Sequence, residues 1–245
     1  MKKTLMLALV GFVFVGCATT APYNPFKIPK DEIYGKVQRI ALVPVEVPED
    51  LETPYPVNVK FESLIETTLR EAGFEVIRSE AYSKTWKQTS KRLGGLFDPS
   101  TGKADKAKFK TAREQCRQEM REKFNANALL YPHIVTVKAS FSYGGFLPQY
   151  TKADWDGVSQ KIGHSNVHGT VAALSLLVAI EDAHGASMYV NKGGIQALST
   201  ISEKFLRGAK FVPVPREELF ANEERNKMAV DIALGPLVAK SAKKD

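Results

Sequence analysis

The sequence predicts an α/β (α+β) fold: a mixed central sheet with packed helices in the order β-α-β-α-β-β-β-α, preceded by a signal peptide and a proline-containing tether. Three observations predict it. Residues 38–46 carry Ile40, Ala41, Leu42, Val43 and Val45, the near-continuous apolar run of a strand buried on both faces. Next come Phe61, Leu64, Ile65, Thr68, Leu69 and Ala72 at helical spacing, and then the short apolar stretch 74–78, which makes a β-α-β start. Two long runs of small and apolar residues, 129–143 and 167–182, then supply the centre of the sheet.

Each element has a local reason. Gly73 stands where the first helix needs a left-handed residue to stop. Residues 79–101 read as irregular, with Gly94-Gly95 and Asp98-Pro99 as turn chemistry. In 105–124, Phe109, Ala112, Cys116, Met120 and Phe124 share one helix face, so Cys116 reads as a small core residue rather than a reactive thiol. Residues 167–182 are apolar or small on both faces, as a central strand requires. The stretch 144–165, with Gly144-Gly145, Pro148, Trp155 and Asp156-Gly157, reads as a long binding loop. Ala183-His184-Gly185 is a tight turn into a short strand, 186–190, and Lys192-Gly193-Gly194 predicts another turn. Residues 222–234 place Met228, Ala229, Ile232 and Ala233 at helical spacing, and Gly235-Pro236 should end that helix.

The amino-terminal residues predict export. Lys2 and Lys3 form a positive n-region, Leu5 to Val15 an unbroken apolar run, and Phe14-Val15-Gly16-Cys17 a cleavage site. Eleven residues of helix reach roughly 16 Å, too short for the roughly 30 Å hydrocarbon core of a bilayer. The site resembles the bacterial lipobox, with Phe14 in the place usually held by Leu. The resemblance implies removal of residues 1–16 and attachment of a diacylglycerol and an N-acyl chain to Cys17. Burial is worth about 0.8 kcal/mol per methylene, and two or more chains anchor stably. With Ala18 rather than Asp after the cysteine, the same resemblance implies the outer membrane of a two-membrane cell, facing the periplasm.

Residues 17–36 are polar and punctuated by Pro22, Pro25 and Pro29, which predicts a lipidated cysteine and a flexible tether spanning up to roughly 60 Å. The 229 residues of the processed chain suit one domain, 37–245, with a basic insertion at 79–124 and the long loop at 144–165. With Cys17 acylated, Cys116 has no disulfide partner. The formal charge is +7 for the whole chain and +5 without Lys2 and Lys3. Between Tyr82 and Phe124, twelve basic residues meet five acidic ones, which concentrates more than that surplus in one segment. Lys110, Arg113, Arg117 and Arg121 fall within it, either as a solvated helix face or as a surface for anionic headgroups, acidic polymers or an acidic partner. Export argues against nucleic acid as a partner.

No strong catalytic motif is present: the sequence holds no Gly-x-Ser-x-Gly, phosphate loop, His-Glu-x-x-His or Cys-x-x-Cys. His164 and His168 straddle a loop-to-strand boundary without the cysteine or paired carboxylate that would complete a zinc set. Asp154-Trp155-Asp156 is either a polar turn with an aromatic staple or a contact point, with Trp155 as its anchor. Glu181, Asp182 and His184 resemble a triad in composition only and read as turn residues. The expected function is therefore non-catalytic, with no metal and no cofactor beyond the acyl groups on Cys17.

The first strand Arg39-Ile40-Ala41-Leu42-Val43-Pro44, the helix ending Leu69-Arg70-Glu71-Ala72-Gly73 before Phe74-Glu75-Val76-Ile77, and the closing Ala229-Val230-Asp231-Ile232-Ala233-Leu234 carry a further resemblance. With the lipobox, they make the chain similar to outer-membrane lipoproteins related to the curli-secretion lipoprotein and to the lipoprotein activators of penicillin-binding proteins. That resemblance implies a domain like the amino-terminal domain of the Tol translocation protein. It also implies an accessory or interaction role in cell-envelope assembly, with an envelope protein as partner, or alternatively an oligomeric component of an outer-membrane secretion or transport system. The basic segment and the loop 144–165 depart from the pattern.

Overall fold

The computed structural model describes residues 23–51, 56–142, 150–164, 168–202 and 210–239. Residues 1–22, which include the expected signal segment and Cys17, lie outside the described residues, as do 143–149 and 165–167 of the stretch read as a loop. The elements are α1 (Lys30–Lys36), β1 (Arg39–Leu42), α2 (Val57–Glu71), β2 (Glu75–Ile77), α3 (Ser79–Arg92), α4 (Lys106–Phe124), β3 (Ala128–Ser142) and β4 (Thr151–Trp155). They continue with β5 (Val158–Gly163), β6 (Gly169–Asp182), β7 (Ser187–Ala197), β8 (Ser199–Ser202), β9 (Lys210–Pro213) and α5 (Glu223–Val238). The mixed α/β architecture expected from the sequence is the one observed.

The first half is wound in both directions from β1. That strand pairs in parallel with β2 on one side and with the start of β3 on the other. Helix α2 ends as its sequence predicts, with Gly73 at φ +94° and the Phe74 amide donating to the Leu69 carbonyl at 3.0 Å. Phe61, Ile65 and Leu69 of α2 and Val230, Ala233 and Leu234 of α5 bury themselves against Ile40, Leu42, Leu130, Leu176 and Val178. On the opposite face, Tyr82 of α3 and Cys116 and Met120 of α4 pack on Ala41, Leu129 and Tyr131. Asp105 caps α4 by accepting from the Ala107 and Lys108 amides, and Asn125 closes it in the left-handed region.

The second half follows from a mismatch of lengths. A 15-residue strand such as β3 runs about 50 Å, whereas a 15-residue helix such as α2 covers about 22 Å. The helices therefore cover only part of the antiparallel β3–β6 ladder, and burial along β3 changes from continuous to alternating beyond Val135. The uncovered part is closed by strands. β4 pairs with the end of β3, β5 with β4, and β8 with β5 at Gly163 and Ile201. Because β8 continues from β7, which pairs with β6, the ladder returns towards its starting strands. Ala139, Phe141, Ala153, Trp155, Ile162, Val171, Ala173, Ala197 and Ile201 fill the enclosed space.

Six expectations are corrected. Residues 79–92, read as irregular, are α3, with Tyr82, Thr85 and Thr89 facing inward at helical spacing; the mixed apolar and hydroxyl composition of that face hid it. The segment 79–124 is accordingly not an excursion but the helix pair that covers one face of the sheet. The described part of the long loop is the β4–β5 hairpin. Lys192-Gly193-Gly194 is not a turn but the interior of β7. A Cβ on Gly193 would lie 1.9 Å from the Ala229 carbonyl oxygen, and one on Gly194 would lie 2.2 Å from Val158, so both glycines serve close approach rather than bending. Gly235-Pro236 does not end α5, which runs to Val238. Pro236 lacks the N–H that Ile232 would otherwise bind, and Asn191 Nδ2 donates to the Ile232 carbonyl instead, at 3.0 Å.

The tether is the sixth. Residues 24–28 lie along β7, with the Lys27 amide donating to the Met188 carbonyl and the Val190 amide to the Pro25 carbonyl. Phe26 packs edge-on against Tyr189, and α1 buries Ile33. Apolar side chains interspersed among the prolines dock this stretch on the domain and cover the outer edge of β7.

Candidate contact surface

The two regions singled out by sequence are kept apart by the fold. Trp155 ends β4 and points into the enclosed core, 7% exposed, its Nε1 donating to the Leu174 carbonyl at 3.1 Å. Asp156 turns inward too: its Oδ2 accepts from the Ser175 hydroxyl at 2.7 Å, and its carbonyl accepts from the Gly194 amide at 3.0 Å. Only Asp154 is exposed. The trio read as a contact point is thus a staple that pins the β4–β5 hairpin to β6 and β7. Alternation along β4 sends Trp155 to the core face and Asp154 to solvent.

The basic stripe of α4 is largely used within the molecule. Arg113 donates to Glu181 at 2.6 Å and Arg117 to the other oxygen of that carboxylate at 2.9 Å, which ties α4 to the end of β6. The Arg113 guanidinium also lies 4.3 Å from the centre of the Tyr131 ring. Arg121 reaches His184 at 3.4 Å and Glu122 at 3.6 Å. Lys110 is exposed to solvent. On the same helix Glu119 takes Lys123 and Arg92, and the Lys123 hydrogen bond, followed by that of Arg92, holds its carboxyl below the usual range. Cys116 is fully buried, and burial pushes its thiol up to about 11, in keeping with the core role read from its position.

The hairpin reading of residues 181–184 holds for Asp182, which accepts from the His184 and Ala186 amides, but Glu181 is the arginine anchor instead. His164 packs against Tyr150 with ring centres 4.4 Å apart and planes tilted by 46°. Among the described residues, no cluster of three or more His, Cys, Asp or Glu side chains is placed to hold a metal ion.

Sequence reasoning missed two exposed features. A recess of about 170 Å³ between β5, β7 and α5 is lined by Trp155, Val158, Lys161, Ile195, Arg225 and Met228, and it adjoins one of about 400 Å³ bounded by Gln160, Gln196, Thr200, Asn222 and Arg225. Gln160 and Gln196 are committed to the Ala197 and Phe220 amides, which leaves Lys161 and Arg225 as the cations at the mouth. Such a groove suits hydrogen bonding and charge pairing to a polar or anionic group. The second feature is β9, the last strand of its sheet, where Phe211 and Val212 are 44% and 40% exposed. Neither has a sequence signal, because the groove is assembled from three segments each about thirty residues from the next and β9 is four residues long.

No protein-family model matches the chain, and no curated protein matches it. Among solved structures it is similar to a dodecamer of a point variant of PelC from Paraburkholderia phytofirmans, at 14% sequence identity, over 84% of this chain and 91% of that one, with a TM-score of 0.37.

Proposed function

We propose that the chain is the precursor of a lipoprotein, cut before Cys17 and held by its acyl chains at the outer membrane with its domain in the periplasm. There it serves as a non-catalytic interaction or accessory module in cell-envelope assembly. The observation that carries this reading is the charged, apolar and Phe14-Val15-Gly16-Cys17 sequence of the first seventeen residues. Arg113, Arg117 and Glu181 fasten α4, and Asp156 and Trp155 fasten the hairpin, so the residues first singled out that stay open to a partner include Asp154 and Lys110.

A second reading, an oligomeric component of a secretion or transport system, is favoured by β9. An edge strand with exposed Phe211 and Val212 offers a second copy both backbone groups and apolar side chains.

The test has two stages. Cys17→Ser should abolish incorporation of a palmitate analogue and release the chain from membranes; retention of the label in that variant would sink the anchor. A photoreactive residue at Phe211 then separates the roles. An adduct with one envelope protein supports the accessory module, a ladder of self-adducts supports the oligomer, and no adduct removes β9 as the contact.

A further inference from the structure

We infer that the outer edge of β7, where the amino-terminal segment docks, lies against the bilayer, with Tyr23 and Lys27 among anionic phospholipid headgroups. This rests on the proposed acylation of Cys17. From Cys17 to Tyr23 the chain spans six residues, which even fully extended reach only about 20 Å. Residues 25–27 are bonded to β7 through the Lys27 to Met188 and Val190 to Pro25 hydrogen bonds, and the Tyr23 hydroxyl donates to the Val190 carbonyl at 2.6 Å. The freedom of a tether of about 60 Å is therefore gone, and the anchor sets which side of the domain faces the membrane.

The chemistry of that side agrees. Tyr23 is 64% exposed, an aromatic with a polar tip of the kind that settles at membrane interfaces. Lys27 is exposed, its amine 5.6 Å from the Tyr23 ring centre, and Lys192 is exposed two residues beyond Val190 in the direction in which the chain leaves. Lysines so placed are drawn to an anionic lipid surface. The acidic residues that follow on α1 are Asp31 and Glu32, and Glu32 is paired with Lys36. Lys30 is held at the end of α5, its Nζ 2.7 Å from the Ala239 carbonyl. Helix α3 lies on the opposite face of the sheet, where its Tyr82 packs on Ala41 of β1, and across the order β1-β3-β6-β7 three strand spacings, about 14 Å, separate β1 from β7.

The test uses the full acylated protein in vesicles of phosphatidylethanolamine and phosphatidylglycerol that contain a headgroup nitroxide lipid. A bimane is placed at Lys27→Cys or, separately, at Lys84→Cys on α3, both exposed positions. Intact mass reports the acyl chains on Cys17. With the acyl mass present, quenching at position 27 should exceed that at 84 several-fold and fall when phosphatidylcholine replaces phosphatidylglycerol. Equal quenching at the two positions on an acylated chain overturns the orientation and leaves the anchor standing. Quenching at 27 that ignores the lipid exchange overturns the anionic-headgroup contact. A purified chain without acyl mass overturns the anchor and the orientation together.

Discussion

Arg117 Nη2 stands 2.9 Å from Glu181 Oε2, and the two side chains are only 15% and 19% exposed, so the contact that joins α4 to β6 is a shielded ion pair rather than a surface one. Arg113 shares the carboxylate at 2.6 Å. What the sequence presents as a basic face is in good part a fastening.

Glu181→Ala should therefore destabilise the domain more than loss of an exposed carboxylate, because it leaves the shielded Arg117 without its partner. Losing charge-assisted hydrogen bonds at such a site costs about 1–3 kcal/mol. Urea unfolding should show a lower midpoint at unchanged slope, and a midpoint equal to that of the parent protein would refute the role.

Gly193→Ala should be among the most damaging small substitutions. The added carbon would meet the Ala229 carbonyl oxygen and the Ala233 amide, both backbone atoms of α5 that cannot turn aside. Overpacking of this kind costs about 1–3 kcal/mol, and more where backbone must move. The decisive comparison is Gly235→Ala, where nothing stands within 4 Å and thermal stability should be nearly unchanged.

Trp155→Phe should keep most of the packing of the enclosed core but remove the hydrogen bond to Leu174. Leaving a buried carbonyl unpaired costs about 1–3 kcal/mol, whereas Trp155→Ala adds a cavity and costs about 3–5 kcal/mol. Equal thermal shifts for the two variants would mean that the indole N–H contributes nothing.

Asp98 gives a pH dependence of known sign. Hydrogen bonds from the Ser100 hydroxyl, and then from the Thr101 and Ser100 amides, hold its carboxyl down to about 2. A group depressed in the folded state stabilises fully above its unfolded value, near 4, and loses that contribution as pH falls through about 2. The difference in denaturation midpoint between the parent and Asp98→Asn should thus be present at neutral pH and shrink across that acid window.

Cys116, fully buried and with its thiol raised to about 11, should resist maleimide at pH 8 in the folded protein and react fully in urea. Rapid labelling without denaturant would show that α4 lifts from the sheet.

The sequence by itself determined the elements whose signals are local. The apolar run at Ile40–Leu42, the helical period ending at Gly73 and the central strand read over 167–182, found as Gly169–Asp182, all depend on neighbours within a turn or a strand. The inward face that holds Cys116 is legible for the same reason. Only the tertiary structure decided the rest. Gly193-Gly194 carries turn composition, yet it lies flat in β7 because α5 and Val158 approach it from opposite faces. Pro236 carries a stop signal, yet α5 continues because Asn191, forty-one residues from Ile232, takes the carbonyl that the proline leaves open. Trp155 and Arg117 have the composition of a contact surface, yet Leu174 and Glu181 claim them. In each case a partner distant in sequence satisfies or excludes a group whose local propensity points elsewhere, and such partners become neighbours only when the β3–β6 ladder brings the two halves of the chain together.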